Sequence, residues 1–221
     1  MVGATRTTRA ERTVVKRKPK ETVVGIGHNH WRYDLIAIGA SAGGLSALTE
    51  VLRPMAMDSP AILVVQHLDP MHKSHLAELI ARKTGKQVKQ AEHGEPILPA
   101  FVYIAPPDEH LLVGPGKIQL VHSQLVHFSR PSIDLMFESV AGMYGSRSVG
   151  VILSGSNRDG AAGIRAIREA GGTTVAQDPA TAEFRVMPQA SIDTGCIDLV
   201  VPLGSLGITL SKLCRGESIE P

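Results

Sequence analysis

The chain is poor in aromatic residues and contains no long apolar segment. Of its 221 residues only 4% are aromatic, although 43% are hydrophobic. Few aromatic side chains are available to stack on bases, so the composition argues against a nucleic-acid partner of that type. No apolar run is long enough to span a bilayer, and the amino-terminal segment lacks the continuous apolar stretch of a secretory signal. We therefore expect a soluble, cytoplasmic protein without stable membrane insertion.

Cysteine is also scarce. The two cysteines, Cys196 and Cys214, have no metal-type spacing. Because no secretory signal precedes them, we expect both thiols to be reduced. No histidine lies near either residue in the sequence, so neither is a candidate nucleophile.

Charge is unevenly distributed, although the formal net charge is only +2. Seven basic and two acidic residues give positions 1–30 a net charge of +5, which leaves about −3 for the rest. The basic residues are Arg6, Arg9, Arg12, Lys16, Arg17, Lys18 and Lys20. Such a segment is typical of a solvated, disordered arm. We predict a disordered basic tail over 1–30, one domain over 31–215 and a short carboxyl-terminal tail over 216–221.

Short apolar runs alternate with helical segments along the rest of the chain. The β-branched run 61–65 shows no polar alternation, which is typical of a parallel strand buried on both faces. Segments 111–113 and 117–121, joined by Gly114-Pro115-Gly116, predict a β-hairpin. The alternation predicts a single α/β domain with three layers, built on a mostly parallel, doubly wound sheet with one β-hairpin.

The same patterns give bounds for the individual elements. Besides the hairpin, strands are predicted at 34–39, 61–65, 87–90, 101–105, 149–153, 173–176 and 199–201. Helices are predicted at 43–52, 73–83, 132–144, 161–169 and 188–194, with a final helix after residue 203.

One predicted strand runs directly into a serine flanked by glycines. Residues 39–43, Gly-Ala-Ser-Ala-Gly, match the G-x-S-x-G pattern, in which a sharp turn between strand and helix exposes a nucleophilic serine. Alternatively, Ser41 only caps the helix that follows, because serine accepts hydrogen bonds from the free N–H groups of a helix N-terminus. The segment alone leaves both interpretations open.

Ser41, His67 and Asp159 follow three predicted strands. The carboxyl ends of parallel strands share one edge of the sheet, where ligands bind. A serine hydroxyl needs an imidazole to take its proton, and the imidazole needs a carboxylate to fix its tautomer. Singly, His67 could bond to backbone and Asp159 could cap a helix, but together the three favour a triad. Their order differs from that of α/β-hydrolases, so the serine motif does not indicate that fold.

A metal site is a competing interpretation of one segment. His67, Asp69, His72 and His75 resemble a local set of transition-metal ligands. Pro70 places a turn within this group, and no familiar zinc pattern is present. We therefore expect no metal.

A dinucleotide site is the other interpretation, because Gly39 and Gly44 follow a strand and begin a helix. The central glycine of the G-x-G-x-x-G pattern is replaced by Ser41, and the next strand ends in Gln66-His67 without an acidic ribose ligand. We therefore expect no organic cofactor.

Several separated blocks of sequence carry a family resemblance. They are IGASAGG at 38–44, VQH at 65–67, VYIAPP at 102–107, RPSID at 130–134, DGAAG at 159–163, AQD at 176–178 and MP at 187–188. In this order and spacing the chain resembles the catalytic domain of the chemotaxis protein-glutamate methylesterase family, CheB, from about Asp34 to Leu206.

The resemblance implies Ser41 as nucleophile, His67 as general base and acid, and Asp159 as the carboxylate that orients His67. It implies hydrolysis of glutamate methyl esters on a methylated chemoreceptor or related signalling protein, with release of methanol through an acyl-enzyme. Some members also deamidate receptor glutamines. No metal or organic cofactor is implied. The backbone N–H groups of Ala42 and Ser156 are candidate oxyanion donors.

Three departures from the family pattern bear on function. Ala42 stands where many members have threonine, and Gly155-Ser156-Asn157 stands where the family usually has Gly-Met-Gly. The usual amino-terminal phosphoacceptor domain does not fit into some thirty residues, so we expect a stand-alone form whose regulator, acting in trans, the sequence does not name. The alternative is a CheB-like signalling or scaffold protein that acts by partner binding and has lost hydrolysis.

Overall fold

The structure is a computed structural model that describes residues 31–68 and 74–219. The predicted basic tail at 1–30 lies outside the described residues, and the domain boundaries stay predictions. Seven strands form one parallel sheet: β1 Leu35–Ala40, β2 Ala61–Gln66, β3 Gln87–Gln90, β4 Phe101–Ile104, β7 Ser148–Ile152, β8 Thr173–Gln177 and β9 Leu199–Val201. The strands β5 His110–Gly114 and β6 Lys117–Val121 pair separately as the predicted antiparallel hairpin.

Helices cover both faces of the sheet. They are α1 Gly44–Leu52, α2 Leu76–Thr84, α3 Ile133–Tyr144, α4 Ala161–Glu169, α5 Val186–Ile192 and α6 Leu203–Arg215. In β1, Ile36 and Ile38 face the core under α1 and α6, whereas Leu35 and Ala37 face the core under α3 and α4. This burial on both sides explains strands without polar alternation. The predicted three-layer α/β class is confirmed.

Within the described ranges, no helix combines the length and the apolar character needed to cross a membrane.

The predicted helix at 188–194 begins two residues earlier, at Val186. Proline is frequent at the first helical position, and the prediction placed Pro188 there. In the structure Pro188 is the third residue of α5. The first four N–H groups of a helix have no partner within it, so proline is tolerated at this position too.

The order of strands across the sheet is β3-β4-β2-β1-β7-β8-β9. After β1 the chain moves to one side through β2, and after β7 it moves to the other side through β8. The order therefore reverses between β1 and β7, which pair in parallel. In sheets of this kind the crevice for a ligand lies beyond the carboxyl ends of the strands at that point.

Small residues bring α3 close to this crevice. A Cβ added to Gly39 in β1 would lie 2.4 Å from Cγ2 of Ile133, the first residue of α3. A Cβ added to Gly163 in α4 would lie 2.6 Å from Cβ of Phe137. Because neither glycine has a side chain, the N-termini of α3 and α4 meet beside the end of β1.

Candidate active site

Ser41 lies in the turn between β1 and α1. Its N–H donates to the carbonyl oxygen of Ser154 at 3.0 Å, and its own carbonyl oxygen accepts from the N–H of Gly44 at 2.9 Å. The residue at the N-cap of α1 is Gly43, at φ 74°, and no side chain caps this helix. The interpretation of Ser41 as a helix cap is therefore wrong, and its hydroxyl is free to face His67.

His67, which follows β2, connects the other two predicted residues. Its Nε2 lies 2.8 Å from Oδ2 of Asp159, and its Nδ1 lies 3.2 Å from Oγ of Ser41. An ionised carboxylate only accepts hydrogen bonds, so in the neutral imidazole Nε2 carries the proton and Nδ1 accepts from the serine hydroxyl. The structure thus brings Ser41, His67 and Asp159 into one chain of hydrogen bonds.

Asp159 is buried and accepts hydrogen bonds from four donors. Its Oδ2 accepts from His67 and from the N–H of Ile133 at 2.8 Å. Its Oδ1 accepts from the N–H of Asp134 at 3.0 Å and from Oγ of Ser132 at 3.1 Å. Burial opposes ionisation, but the hydrogen bonds from His67 and from the two N–H groups hold the pKa of Asp159 below its ordinary value.

The expectation that Asp159, taken singly, caps the helix after it is also wrong. The N-cap position of α4 is Gly160, without a side-chain cap, and Asp159 instead binds N–H groups of the first turn of α3. Conversely, Oδ1 of Asp134 in α3 accepts from the N–H groups of Gly160 at 2.9 Å and Gly163 at 2.7 Å. Asp159 therefore binds the N-terminus of α3, the helix that carries Asp134. Asp134 in turn binds the N-terminus of α4, the helix that directly follows Asp159.

The pKa values of the two carboxylates nevertheless shift in opposite directions. Burial and the nearby charge of Asp159 raise the pKa of Asp134 to about 6, although the N–H groups of Gly163 and Gly160 act in the opposite direction. The other oxygen of Asp134 faces Nε2 of His127 at 3.7 Å. Asp159 has the additional bond to His67, which contributes to lowering its pKa while that of Asp134 is raised.

Gln66, the last residue of β2, bridges the two turns that carry Ser41 and His67. Its Nε2 donates to the carbonyl oxygen of Ser41 at 2.7 Å and to that of His67 at 3.0 Å. Its buried Oε1 has no partner among the described residues, and a Cβ on Gly44 would lie 1.8 Å from it. Gly44 therefore provides the space in which Gln66 holds both turns.

The two candidate oxyanion donors lie in the turns on either side of the site. Within the part of the chain that the structure describes, the N–H groups of Ala42 and Ser156 have no hydrogen-bond acceptor. The N–H of the neighbouring Gly155 donates to the carbonyl oxygen of Phe184 at 2.9 Å. Both predicted donors are thus available to a ligand, whereas Gly155 is not.

A cleft of about 1050 Å³ extends from Ser41 between α1 and α2. Apolar side chains line part of it, namely Leu45, Leu68, Leu76 and Leu79. Charged side chains also line it, namely Glu50, Arg53, Lys83 and Glu183. The cleft thus combines apolar side chains and charged side chains of both signs next to Ser41, and His67 and Asp159 are not among the residues that line it.

The alternative metal ligands fall into two groups. Asp69 and His72 lie outside the described residues, while Nδ1 of the exposed His75 lies 3.2 Å from Oε2 of Glu78. The ring of His67 bonds to Asp159 and Ser41. Among the described residues, no three histidine, cysteine, aspartate or glutamate side chains are grouped as a metal site.

Sequence reasoning missed several residues that position the site: Gln66, Ser132, Asp134 and Asn157. The amide nitrogen of Asn157 lies 3.1 Å from Nδ1 of His67. Three of the four belong to the blocks that carried the family resemblance, which marked the positions without indicating what they contact. Asn157 lies where the chain departs from the family pattern, and that departure was the available signal.

The chain is similar to known proteins of one family. The CheB methylesterase family profile matches residues 36–210. The chain is similar to a protein-glutamate methylesterase/protein-glutamine glutaminase of Anaeromyxobacter dehalogenans, with 41% identity over 185 residues, 83% of this chain and 54% of that protein. A protein of the same name from Escherichia coli K12 is 40% identical over 191 residues, which cover 84% of this chain and 55% of that protein.

A solved structure is similar as well. The crystal structure of the Thermotoga maritima CheB methylesterase catalytic domain matches with a TM-score of 0.78 and 33% sequence identity. The match covers 82% of this chain and 98% of that one. The chain therefore spans about half the length of the curated relatives it matches and nearly the whole of the solved catalytic domain.

Proposed function

The chain belongs to the CheB methylesterase family, and on that premise we propose that it hydrolyses glutamate methyl esters on a methylated chemoreceptor, releasing methanol. The observation that carries the proposal is the hydrogen-bonded chain from Ser41 through His67 to Asp159. The same arrangement accepts a glutamine amide and would release ammonia, and the names of the relatives support this second reaction.

In the first half of the reaction, Nδ1 of His67 takes the proton of Ser41 while Oγ attacks the ester carbonyl carbon. The N–H groups of Ala42 and Ser156 donate to the oxyanion of the tetrahedral intermediate. His67 then gives its proton to the departing methoxide, so methanol leaves and an ester joins the glutamate side chain to Ser41. Asp159 stays ionised and stabilises the imidazolium through Nε2.

In the second half, water replaces the alcohol. His67 takes a proton from water, and the hydroxide attacks the acyl-enzyme carbonyl carbon. The intermediate collapses with return of the proton to Oγ of Ser41. The products are the glutamate carboxylic acid, which loses its proton to solvent to become the carboxylate, and the original enzyme, and no cofactor takes part in either half.

The partner we propose is a methylated chemoreceptor or a related signalling protein, met in the cytoplasm. The cleft beside Ser41 supports a polypeptide substrate, because its apolar side chains can contact the methylene groups of the methylated glutamate side chain. Its charged residues, Glu50, Arg53 and Lys83 among them, can contact polar residues on either side of the ester. We propose no nucleic-acid partner.

The direct test is methanol release from a methylated chemoreceptor fragment. We expect Ser41→Ala to lose at least about 10³-fold in kcat, as removal of a triad nucleophile does. Ser139→Ala is the matched control, because this hydroxyl bonds to Val113 and Met136 in the α3 region and not to the triad. Methanol release undiminished by Ser41→Ala would contradict the assignment.

A second candidate function is a signalling or scaffold protein that keeps the fold for partner binding. The observation that favours it is the contact of Asn157 with Nδ1 of His67, the atom that must take the serine proton. A serine-directed fluorophosphonate separates the two functions. If the triad is assembled, the reagent labels Ser41 far faster than other serines. If the site has lost hydrolysis, the reagent labels Ser41 no faster than other serines.

A further inference from the structure

Asn157 lies in the loop between β7 and α4, two residues before Asp159. Its Nδ2 is 3.1 Å from Nδ1 of His67, and its Oδ1 accepts from the N–H of Asp159 at 3.2 Å. Oγ of Ser41 is 3.2 Å from the same Nδ1 atom. Two side chains thus approach one ring nitrogen.

Both of these side chains act as donors toward that nitrogen. With its proton on Nε2, a neutral imidazole has a single lone pair on Nδ1. The amide nitrogen of asparagine only donates, and the serine hydroxyl must donate for His67 to take its proton. Ser41 and Asn157 therefore compete for the lone pair of Nδ1.

Proton transfer turns the attractive contact between Asn157 and Nδ1 of His67 into a repulsive one. Once His67 has taken the serine proton, Nδ1 carries N–H and faces the amide N–H of Asn157. Two donors then point at each other, so the contact that stabilised neutral His67 becomes repulsive until the amide turns away. The contact thus favours the state before the reaction over the state after proton transfer.

We propose that Asn157 is a positioning residue that acts through His67 and restrains the transfer of the proton from Ser41. This inference rests on the proposed use of His67 as general base. The role is specific to this residue type, because a glycine at position 157 would have no side chain to reach Nδ1. It gives the unusual 155–157 loop a function that neither Ser156 nor Gly155 would supply.

Other charged groups around His67 are unchanged in every variant at position 157. Asp159 bonds to Nε2, Asp134 lies beyond Asp159, and His127 faces Asp134. Arg158 adjoins Asn157 in the loop, and Glu183 lines the cleft together with Ser41. Differences among the variants therefore report the side chain at position 157.

The test is the rate at which a fluorophosphonate labels Ser41, measured against pH in Asn157→Ala and Asn157→Asp. Alanine removes the competing donor, so we expect labelling to rise about threefold at high pH and the midpoint of the acid limb to rise by about half a pH unit. Aspartate keeps an oxygen for the N–H of Asp159 but places a negative charge beside Nδ1. This charge favours the imidazolium form of His67, so we expect the midpoint of the acid limb of Asn157→Asp to rise by about one pH unit or more.

The order of the acid limbs separates the proposal from a structural role. The proposal requires wild type lowest, Asn157→Ala intermediate and Asn157→Asp highest. A role confined to the bond with Asp159 would leave the acid limb of Asn157→Ala at the wild-type position, which overturns the proposal, because the new charge in Asn157→Asp raises that limb in either case. Slower labelling of Asn157→Ala at all pH values also overturns it, because the amide would then be assisting Ser41.

A matched control and a separate readout complete the design. Gln189→Ala removes an amide on α5 that bonds to Asp193, and we expect it to label like wild type. Labelling needs no ester substrate. If the acid-limb midpoints follow the expected order but no methanol is released, the proposed role of Asn157 is supported and only the proposed substrate is refuted. No labelling of Ser41 in any variant would refute both.

Discussion

The half of the site around Asp159 and the half around Ser41 and His67 are held in place by different means. Asp159 accepts from four donors, three of them in or beside the first turn of α3. Ser41 and His67 lie in two separate turns after neighbouring strands, and the side chain that bridges both turns is that of Gln66. The carboxylate is thus fixed by several donors, whereas the turns of Ser41 and His67 are linked by the buried amide of Gln66 and by the backbone bond from the N–H of His67 to the carbonyl oxygen of Ala40.

Because of this difference, substitutions in the two halves of the site should affect its geometry and the reaction rate to different extents. Removing one of several donors to Asp159 leaves the others in place, so geometry should survive. Disturbing Gln66 should move Ser41 and His67 relative to each other, and misplacement of reacting groups by about 1 Å can cost about 100-fold in rate.

The largest effect is expected where the carboxylate itself is changed. Asp159→Asn should reduce kcat for methanol release on the order of 10⁴-fold, because an amide does not hold His67 in the required tautomer. Asp134→Asn should cost less than about tenfold, since its amide oxygen still accepts from Gly160 and Gly163. Equal losses in the two variants would show that the carboxylates act as one unit.

Gly44→Ala should disturb the half of the site around Ser41 and His67. The added Cβ would lie 1.8 Å from Oε1 of Gln66 and would displace the bridging amide. We expect kcat to fall about 100-fold while the protein stays folded. Gly142→Ala in α3 is the matched control, because among the described residues its added Cβ would have no heavy atom within 4 Å apart from its chain neighbours and the backbone of its own helix. Near-normal turnover by Gly44→Ala would mean that the strands alone set the spacing of Ser41 and His67.

The pH dependence of stability distinguishes the two carboxylates. The pKa of Asp134 is raised from 3.8 to about 6 in the folded protein, so its stabilising effect is complete below about pH 4 and is lost as pH rises through 6. Asp134→Asn carries no charge. Its free energy of unfolding relative to wild type should therefore increase by about 2 kcal/mol between pH 4 and pH 7, as measured by urea denaturation.

Asp159→Asn provides the opposite control in the same experiment. The pKa of Asp159 is lowered by its hydrogen bonds, so its contribution is present above the ordinary aspartate pKa and is lost as pH falls. Wild type should thus gain stability over Asp159→Asn with rising pH. The same slope for both variants would contradict the opposite pKa shifts of the two carboxylates.

The smallest effect is expected from Ser132→Ala. This buried hydroxyl is one of four donors to Asp159 and caps α3 by accepting from Leu135. Its loss should cost about 1 kcal/mol of stability, as loss of a helix cap does, and only a few-fold in kcat. Ser139→Ala should show a similar stability loss with unchanged kcat. A loss in kcat near that of Asp159→Asn would show that the carboxylate is not redundantly held.

Much of the fold followed from local pattern. Predicted segments 87–90, 161–169 and 199–201 match the structure residue for residue. For the last two, Gly160 before α4 and the valines of β9 are local signals. Element ends were less certain. The helix predicted from residue 73 begins at Leu76 in the structure, and residues 69–73 lie outside the described part of the chain.

The proximity of Ser41, His67 and Asp159 was predictable because the carboxyl ends of parallel strands share one edge of the sheet. Their supports were not predictable. Asp134 binds the N-terminus of a helix some twenty-five residues away, and Gln66 reaches the turn of another strand. Such contacts depend on how closely α3, α4 and β1 pack, which is set by glycines such as Gly163 and not by local propensity.

Whether Ser41 carries the acyl group is tested most directly by rapid quenching of the enzyme with a methylated chemoreceptor fragment, followed by mass spectrometry of the peptide that contains Ser41. We expect an adduct equal to the fragment less methanol, formed at least as fast as turnover and absent from Ser41→Ala. Methanol release by wild type with no adduct on Ser41, together with unchanged turnover in Ser41→Ala, would contradict a serine nucleophile at this site.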